Sequence, residues 1–135
     1  MTLPVTAFVG AVCALLLLFT AILTVRQRLR LKAAFGDHGD AKLIAASRSH
    51  GNLAEYAPII IILLGLLESA RANHLALMAI GAIFLIGRVA HIVGLHTPSP
   101  PGKAPLGRQL GVLATFASLL VLGGWILWML ATVNL

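Results

Sequence analysis

Charge of either sign is scarce in this sequence, and acidic residues are scarcer than basic ones. The 135 residues include 10 Lys and Arg but only 4 Asp and Glu, whereas 59% of the residues are hydrophobic. A water-soluble domain of this length cannot bury so much apolar surface. The composition therefore argues against a soluble domain and indicates an integral membrane protein surrounded by lipids.

Cysteine and aromatic residues are also rare. Cys13 is the single cysteine, which excludes an intrachain disulfide, and its place in an apolar run predicts a packing role. The net charge of +6 could suggest nucleic acid, but the basic residues flank apolar runs and form no face with aromatic partners. His91 and His96 are five residues apart, and no cysteine or carboxylate completes a metal site with them. We therefore expect neither nucleic acid nor a metal.

Long apolar runs are what the sequence has in abundance. Residues 4–25 and 110–133 are free of charge and long enough to cross a bilayer as helices. The runs 56–67 and 75–86 would reach only about 18 Å across a hydrocarbon core of about 30 Å. Extending both until they span predicts a single all-α domain. It is a bundle of four transmembrane helices over about residues 4–27, 41–68, 74–95 and 108–133.

The basic residues predict the orientation of the bundle. The first connection carries Arg26, Arg28, Arg30, Lys32, Lys42 and Arg48, the second only Arg71, and the third Lys103 and Arg108. Connections rich in Lys and Arg stay on the cytoplasmic side of a membrane. The first and third connections should thus be cytoplasmic and both termini non-cytoplasmic. If the chain is bacterial, the inner membrane is the expected location.

Smaller signals concern the helix ends. Asp40 ends the turn-forming stretch FGDHGD and is a predicted N-cap for a helix that starts at residue 41. Glu68 and Arg71 are three residues apart and predict an exposed ion pair at the outer turn. Gly107 and Gly111 form a GxxxG pattern, but Arg108 and the helix start weaken it as a packing motif.

Extension of the short runs brings polar residues into the membrane. The second helix takes in Asn52 and Glu55, and the third takes in Arg88 and His91. At 1.5 Å per residue, Glu55 and Arg88 lie about 18 Å and about 20 Å below the outer ends of their helices. A charge in the bilayer costs about 2.5–3.5 kcal/mol. Opposite charges at one depth indicate either a structural Glu55–Arg88 ion pair or a shared polar ligand.

Helical phase places the polar residues of the second helix on one face. Arg48, Asn52, Glu55 and Tyr56 are spaced i, i+4, i+7 and i+8. Arginines favour carboxylates or phosphates, a buried carboxylate favours an ammonium or guanidinium group, and an Asn amide can pair with a peptide group. The complement is a small zwitterion with more than one carboxylate.

The stretch RSHGNLAEY resembles the Arg-x-x-x-Asn-x-x-Glu-Tyr signature of the MAPEG family, the membrane-associated proteins in eicosanoid and glutathione metabolism. The resemblance extends to the four spans, the basic first connection, Arg88 in the third helix and an arginine before the fourth. GDHGDAKLIAASRSHGNLAEYAP and GRVAHIVGLH are most similar to the small bacterial branch. The resemblance implies a homotrimer that binds glutathione as co-substrate between neighbouring subunits, near the cytoplasmic ends of the helices.

The resemblance also implies roles for the residues of the second and third helices. Arg48 and Arg88 would hold the carboxylates of glutathione or support the groups that do. Asn52 would pair with the peptide backbone, Glu55 would take the ammonium group, and Tyr56 would line the site.

Further roles follow from positions outside that signature. His91 and Leu95 occupy places where well-studied enzymes of the family carry tyrosines, and only His91 could replace a tyrosine as a hydrogen-bond donor. Arg108 matches the family arginine ahead of the fourth helix. An arginine at the cytoplasmic end of the first helix would stabilise the glutathione thiolate, because a nearby cation lowers a thiol pKa. Arg28 is the predicted catalytic residue, and Arg26 is the alternative.

The expected function is therefore a glutathione transferase or peroxidase-like activity on lipophilic electrophiles. A catalytically silent binding or scaffold protein of the same fold is the alternative, which Leu95 favours. A small multidrug-type transporter would also have four helices and a membrane glutamate, but its cationic substrate would be repelled by Arg48 and Arg88.

Overall fold

The chain folds into four long α-helices, as described by a computed structural model over residues 2–100 and 102–132. The helices are α1 (Pro4–Leu31), α2 (Ala41–Ser69), α3 (His74–His96) and α4 (Leu106–Thr132). Each is long and apolar enough to cross a membrane, and the described residues contain no strand. The predicted all-α, four-helix fold class is confirmed. Residue 133, the predicted end of the fourth helix, lies outside the described residues.

The connection between α1 and α2 depends on two helix ends. α1 continues past the predicted end near residue 27 to Leu31, and Lys32 then takes a left-handed conformation with φ of 52°. Asp40 is the N-cap of α2, as predicted, and its carboxylate accepts from the Leu43 backbone N–H at 2.9 Å. Arg30 also donates to Asp40 at 2.6 Å. The hydrogen bond from Arg30, together with that from Leu43, lowers the pKa of Asp40 below its ordinary value.

The interior of the bundle has an apolar part and a polar part. The apolar core includes fully buried Ile60, Leu64, Phe84 and Leu122. Large apolar side chains such as Leu15 are exposed on the outside of the bundle, as expected where lipid is the solvent. Nearer the C-terminal half of α3, the interior turns polar.

Glycines bring α3 and α4 into close contact. A Cβ atom on Gly87 would lie 2.5 Å from the Ala114 Cβ, and one on Gly107 would lie 2.6 Å from the Ala90 carbonyl oxygen. A Cβ on Gly111 would overlap with His91. Small residues allow membrane helices to approach this closely. Gly107 and Gly111 therefore do form a packing motif, and the interpretation that discounted it was wrong, because both glycines lie directly against the backbone of α3.

Glu68 connects α2 to the start of α1. Its side chain is only 7% exposed, and its carboxylate accepts from the backbone N–H groups of Val5 (2.9 Å) and Thr6 (2.8 Å) and from the Thr6 hydroxyl (2.7 Å). Leu3 at the N-cap of α1 has no side-chain acceptor, so Glu68 satisfies the free N–H groups of that helix and complements its dipole. The predicted exposed pair with Arg71 is wrong, because α1 presents better donors.

Candidate functional site

A groove lies where α2 and α4 begin and α3 ends. Its volume is about 380 Å³, and we call it the polar groove. The residues that line it are Ile44, Arg48, Asn52, Glu55, Tyr56, His91, Leu95, Arg108 and Val112. Three helices thus bring six of the seven predicted ligand-binding residues to one surface, and only Arg88 is not among the lining residues.

The α2 wall of the groove is the face that helical phase predicted. Arg48 and Glu55 are exposed, whereas Asn52 and Tyr56 are half-buried. The Tyr56 ring packs edge-on against Phe116 of α4, with ring centroids 6.2 Å apart and planes at 64°. This contact fixes the tyrosine against the wall formed by α4.

Arg88 lies behind the groove and is completely buried. Its Nη2 donates to Asn52 Oδ1 at 2.7 Å and contacts His91 Nδ1 at 3.3 Å, while Nη1 donates to Thr115 Oγ1 at 3.1 Å. Its Nε has no acceptor among the described residues. Arg88 is therefore a buried cation whose hydrogen-bond partners are neutral, and it connects α3 to both α2 and α4.

Glu55 forms no ion pair with Arg88. In the part of the chain that the structure describes, the ion pairs are Arg30–Asp40 and the longer His74–Glu68 contact of 3.9 Å, and no hydrogen bond engages the Glu55 carboxylate. The structural ion pair considered from equal depth is thus wrong. Asn52, one helical turn before Glu55, takes the guanidinium group, and the glutamate stays exposed in the groove.

The predicted catalytic arginines lie away from the groove of their own chain. Arg28 is half-buried, and its Nη1 donates to the backbone carbonyls of Ala34 (3.4 Å) and Gly36 (3.2 Å) in the connection after α1. Arg26 is exposed. Neither residue lines the polar groove. Within one chain, Arg28 stabilises the first connection.

Thr115 is the contact residue that the sequence interpretation missed. Its hydroxyl donates to the Gly111 carbonyl at 2.8 Å and accepts from Arg88. Thr115 lies seven residues after Arg108 and four after Gly111, so all three share a face of α4. That spacing was available in the sequence, but a single threonine in an apolar helix gave no reason to single it out.

The charges in and behind the groove suit an anionic or zwitterionic ligand. Arg48 and Arg108 line the groove, Arg88 lies buried behind it, and Glu55 is the one carboxylate among the lining residues. Charges interact more strongly in a low-dielectric surrounding than in water. Among residues 2–100 and 102–132, no three His, Cys, Asp or Glu side chains are grouped so that they could hold a metal ion.

The fold and this groove define a class of protein: a four-helix integral membrane protein with a cation-rich polar groove at one end of its bundle. A sequence model of the MAPEG family matches residues 6–128, and the chain belongs to that family, as the signature in α2 predicted. The predicted integral membrane location is confirmed.

The chain is also similar to two bacterial membrane proteins. The chain is 34% identical over 118 residues to the inner membrane protein YecN of Escherichia coli strain K12. The aligned segment covers 87% of this chain and 86% of YecN. The same values hold for YecN of Escherichia coli O6:H1. These relatives support the inner membrane as the location expected for a bacterial chain. No solved structure matches the chain.

Proposed function

We propose that the protein binds glutathione in the polar groove and activates its thiol for attack on lipid-soluble electrophiles. One observation carries the proposal: two arginines, an exposed carboxylate and an amide line one groove at the end of a membrane bundle. Glutathione has two carboxylates, one ammonium group and two peptide bonds, which is the complement of that set. A groove of about 380 Å³ lies in the range of small-molecule sites.

Each group of the groove has a partner on the proposed ligand. Arg48 and Arg108 pair with the carboxylates, and Glu55 takes the ammonium group. Asn52 and His91 hydrogen-bond to the peptide backbone, and Tyr56 closes the α4 side. Arg88 acts from behind the groove by holding Asn52 and His91.

The proposed chemistry needs a thiolate next to an electrophile supplied by the membrane. The thiolate sulfur attacks the electrophilic carbon, a C–S bond forms, and the leaving group departs with its electron pair. A cation near the sulfur raises the thiolate fraction. Arg28, or Arg26 as the alternative, supplies that cation. Since neither lines its own groove, the proposal requires that this arginine come from a neighbouring subunit, and the resemblance to the family implies a homotrimer. A peroxidase-like reaction would use the same thiolate.

The proposed orientation puts the polar groove at the cytoplasmic surface. The groove lies at the end of the bundle that carries the first and third connections, and these hold most of the Lys and Arg residues. Both termini then lie on the non-cytoplasmic side. Reporter fusions to the C-terminus test this orientation, because a reporter that is active only in the cytoplasm should be inactive there.

Calorimetric titration of the detergent-purified protein with glutathione tests binding. The wild type should bind, while Glu55→Gln and Arg88→Ala should bind at least about tenfold more weakly, because each removes a charged partner or its support. Absence of binding by the wild type, or unchanged binding by both variants, would refute the ligand. Conjugation of glutathione to 1-chloro-2,4-dinitrobenzene then tests catalysis.

A catalytically silent binding or scaffold protein is the second candidate. Two observations favour it: Leu95 lines the groove where a hydrogen-bond donor is expected, and Arg28 is engaged with the carbonyls of its own loop. Conjugation activity that is lost in Arg28→Ala would exclude this candidate. A multidrug-type transporter is less consistent with the groove, because Arg48 and Arg108 line it together with Glu55 and would repel a cationic substrate.

A further inference from the structure

Arg88 determines which atoms its neighbours can present to the groove. A guanidinium group carries five N–H donors and no acceptor. Every polar atom within hydrogen-bond distance of it must therefore act as an acceptor. Arg88 is completely buried, so water cannot take the place of these protein partners.

This restriction fixes the orientation of the Asn52 amide. The atom that lies 2.7 Å from Arg88 Nη2 must be the oxygen Oδ1, because the amide nitrogen would set donor against donor. The NH₂ group of the Asn52 amide is then the group that can form hydrogen bonds with a ligand in the groove. Asn52 lines the groove, so it can offer two N–H donors to a ligand.

The same restriction fixes the tautomer of His91. Nδ1 lies 3.3 Å from Arg88 Nη2, so Nδ1 must be the unprotonated nitrogen of a neutral ring. The proton of the imidazole is then on Nε2. His91 lines the groove although it is only 3% exposed, and its available polar group is the Nε2–H donor.

We propose that Arg88 is a positioning residue that presets Asn52 and His91 as hydrogen-bond donors, so that these two residues can pair only with hydrogen-bond acceptors of a ligand. This inference rests on the proposed function and specifies the pose of the ligand. Peptide carbonyl or carboxylate oxygens face Asn52 and His91, while the ammonium group lies towards Glu55.

The tautomer of His91 can be measured without any ligand. Nitrogen-15 spectra of histidine-labelled protein in lipid bilayers distinguish a protonated from a bare ring nitrogen, and His91→Gln identifies the signals of His91 among the five histidines. We expect a bare Nδ1 and a protonated Nε2 in the wild type. Arg88→Met should shift the ring towards a mixture of tautomers. A protonated Nδ1 in the wild type, or the same tautomer in Arg88→Met, would overturn the inference.

Two variants of Asn52 test the ligand side by titration with glutathione. Asn52→Asp keeps an acceptor for Arg88 but removes both donors to the groove, and Asn52→Leu removes the donors without adding charge. Both should raise the Kd by about tenfold or more, while the thermal midpoint of Asn52→Asp stays near that of the wild type. Wild-type affinity in Asn52→Leu would contradict the inference.

Different results would refute the proposed glutathione binding and the positioning role of Arg88. If the wild type binds no glutathione but the Nε2–H tautomer is observed and depends on Arg88, the proposed function fails and the preset donors stand. If glutathione binds to the wild type and equally well to both Asn52 variants, the function stands and the positioning role of Arg88 fails.

Discussion

Two glutamates of α2 have opposite environments. Glu68 is 7% exposed, and three donors from the start of α1 engage its carboxylate. Glu55 lies about 20 Å along the same helix. It is exposed in the polar groove, and no donor among the described residues engages it. A carboxylate with satisfied hydrogen bonds holds two helices together, whereas an unsatisfied one in a groove is available to a ligand.

The difference arises from which backbone or side-chain donors each glutamate meets. The first turn of a helix has free N–H groups, and α1 has no cap of its own, so Glu68 replaces one. Glu55 faces the gap between α2, α3 and α4, where Arg88 is already occupied by Asn52 and Thr115. We therefore assign Glu68 to stability and propose Glu55 for binding.

Replacing Glu68 should have the largest effect on stability. Glu68→Ala leaves the N–H groups of Val5 and Thr6 without acceptors, and we expect it to lower the unfolding free energy by about 2–4 kcal/mol. Reversible unfolding in mixed micelles measures this value. Glu55→Ala is the matched control, because it removes the same group from the same helix and should change stability by no more than about 0.5 kcal/mol. Equal losses in the two variants would erase the contrast between them.

The close contact of α3 and α4 should matter for the groove and for stability together. Gly111→Ala places a methyl group against His91, and we expect a loss of about 1–3 kcal/mol in unfolding free energy. Glutathione binding should weaken as well, because His91 and Arg108 are displaced.

Gly124→Ala on the same helix serves as the control for this substitution. A Cβ there meets nothing within 4 Å, so the variant should be neutral or more stable by up to about 1 kcal/mol, because Gly is a poor helix former. If Gly111→Ala behaved like Gly124→Ala, tight α3–α4 packing would not shape the groove.

Removing the charge of Glu55 should affect binding and leave stability unchanged. Glu55→Gln loses the proposed partner of the ammonium group, so we expect the Kd for glutathione to rise about tenfold, or about 1.4 kcal/mol. Titration calorimetry measures it. Asp37→Asn makes the same change of charge in the exposed first connection and should leave the Kd unaltered. A Glu55→Gln protein that binds normally but unfolds more easily would reverse the assignment.

The four helices and the α2 wall of the polar groove could be predicted from the sequence. Apolar runs and span length predicted four helices, and the 3.6-residue period grouped Arg48, Asn52, Glu55 and Tyr56, which line the groove together. Both signals are local, because they depend on the composition and phase of a single helix.

Contacts between helices could not be predicted in the same way. Rise per residue placed Glu55 and Arg88 at one depth, but it does not give the rotation of α2 about its axis. The choice between a Glu55–Arg88 ion pair and a shared ligand therefore stayed open, and the contact of Arg88 with Asn52 was not predicted. The Glu68–Val5 contact joins residues 63 positions apart and depends on how α1 packs. Gly87, Gly107 and Gly111 matter only once α3 and α4 are paired.

The smallest expected effect concerns Asp40, a third carboxylate, which lies just before α2. The hydrogen bond from Arg30 and then that from Leu43 lower its pKa from the ordinary value of 3.8. The folded state therefore binds this proton less readily than the unfolded state. The resulting stabilisation is complete above 3.8 and is lost as the pH falls through the lowered folded-state pKa.

Asp40→Asn isolates this charge, because the amide oxygen can still accept from Leu43. Thermal unfolding in a nonionic detergent should show that the wild type loses more stability than Asp40→Asn as the pH falls below 3.8. The difference should be small and should shrink further at high salt, since the Arg30–Asp40 pair is solvent-exposed. A loss as large as that of Glu68→Ala would mean that the loop carboxylate, like Glu68, holds the bundle together.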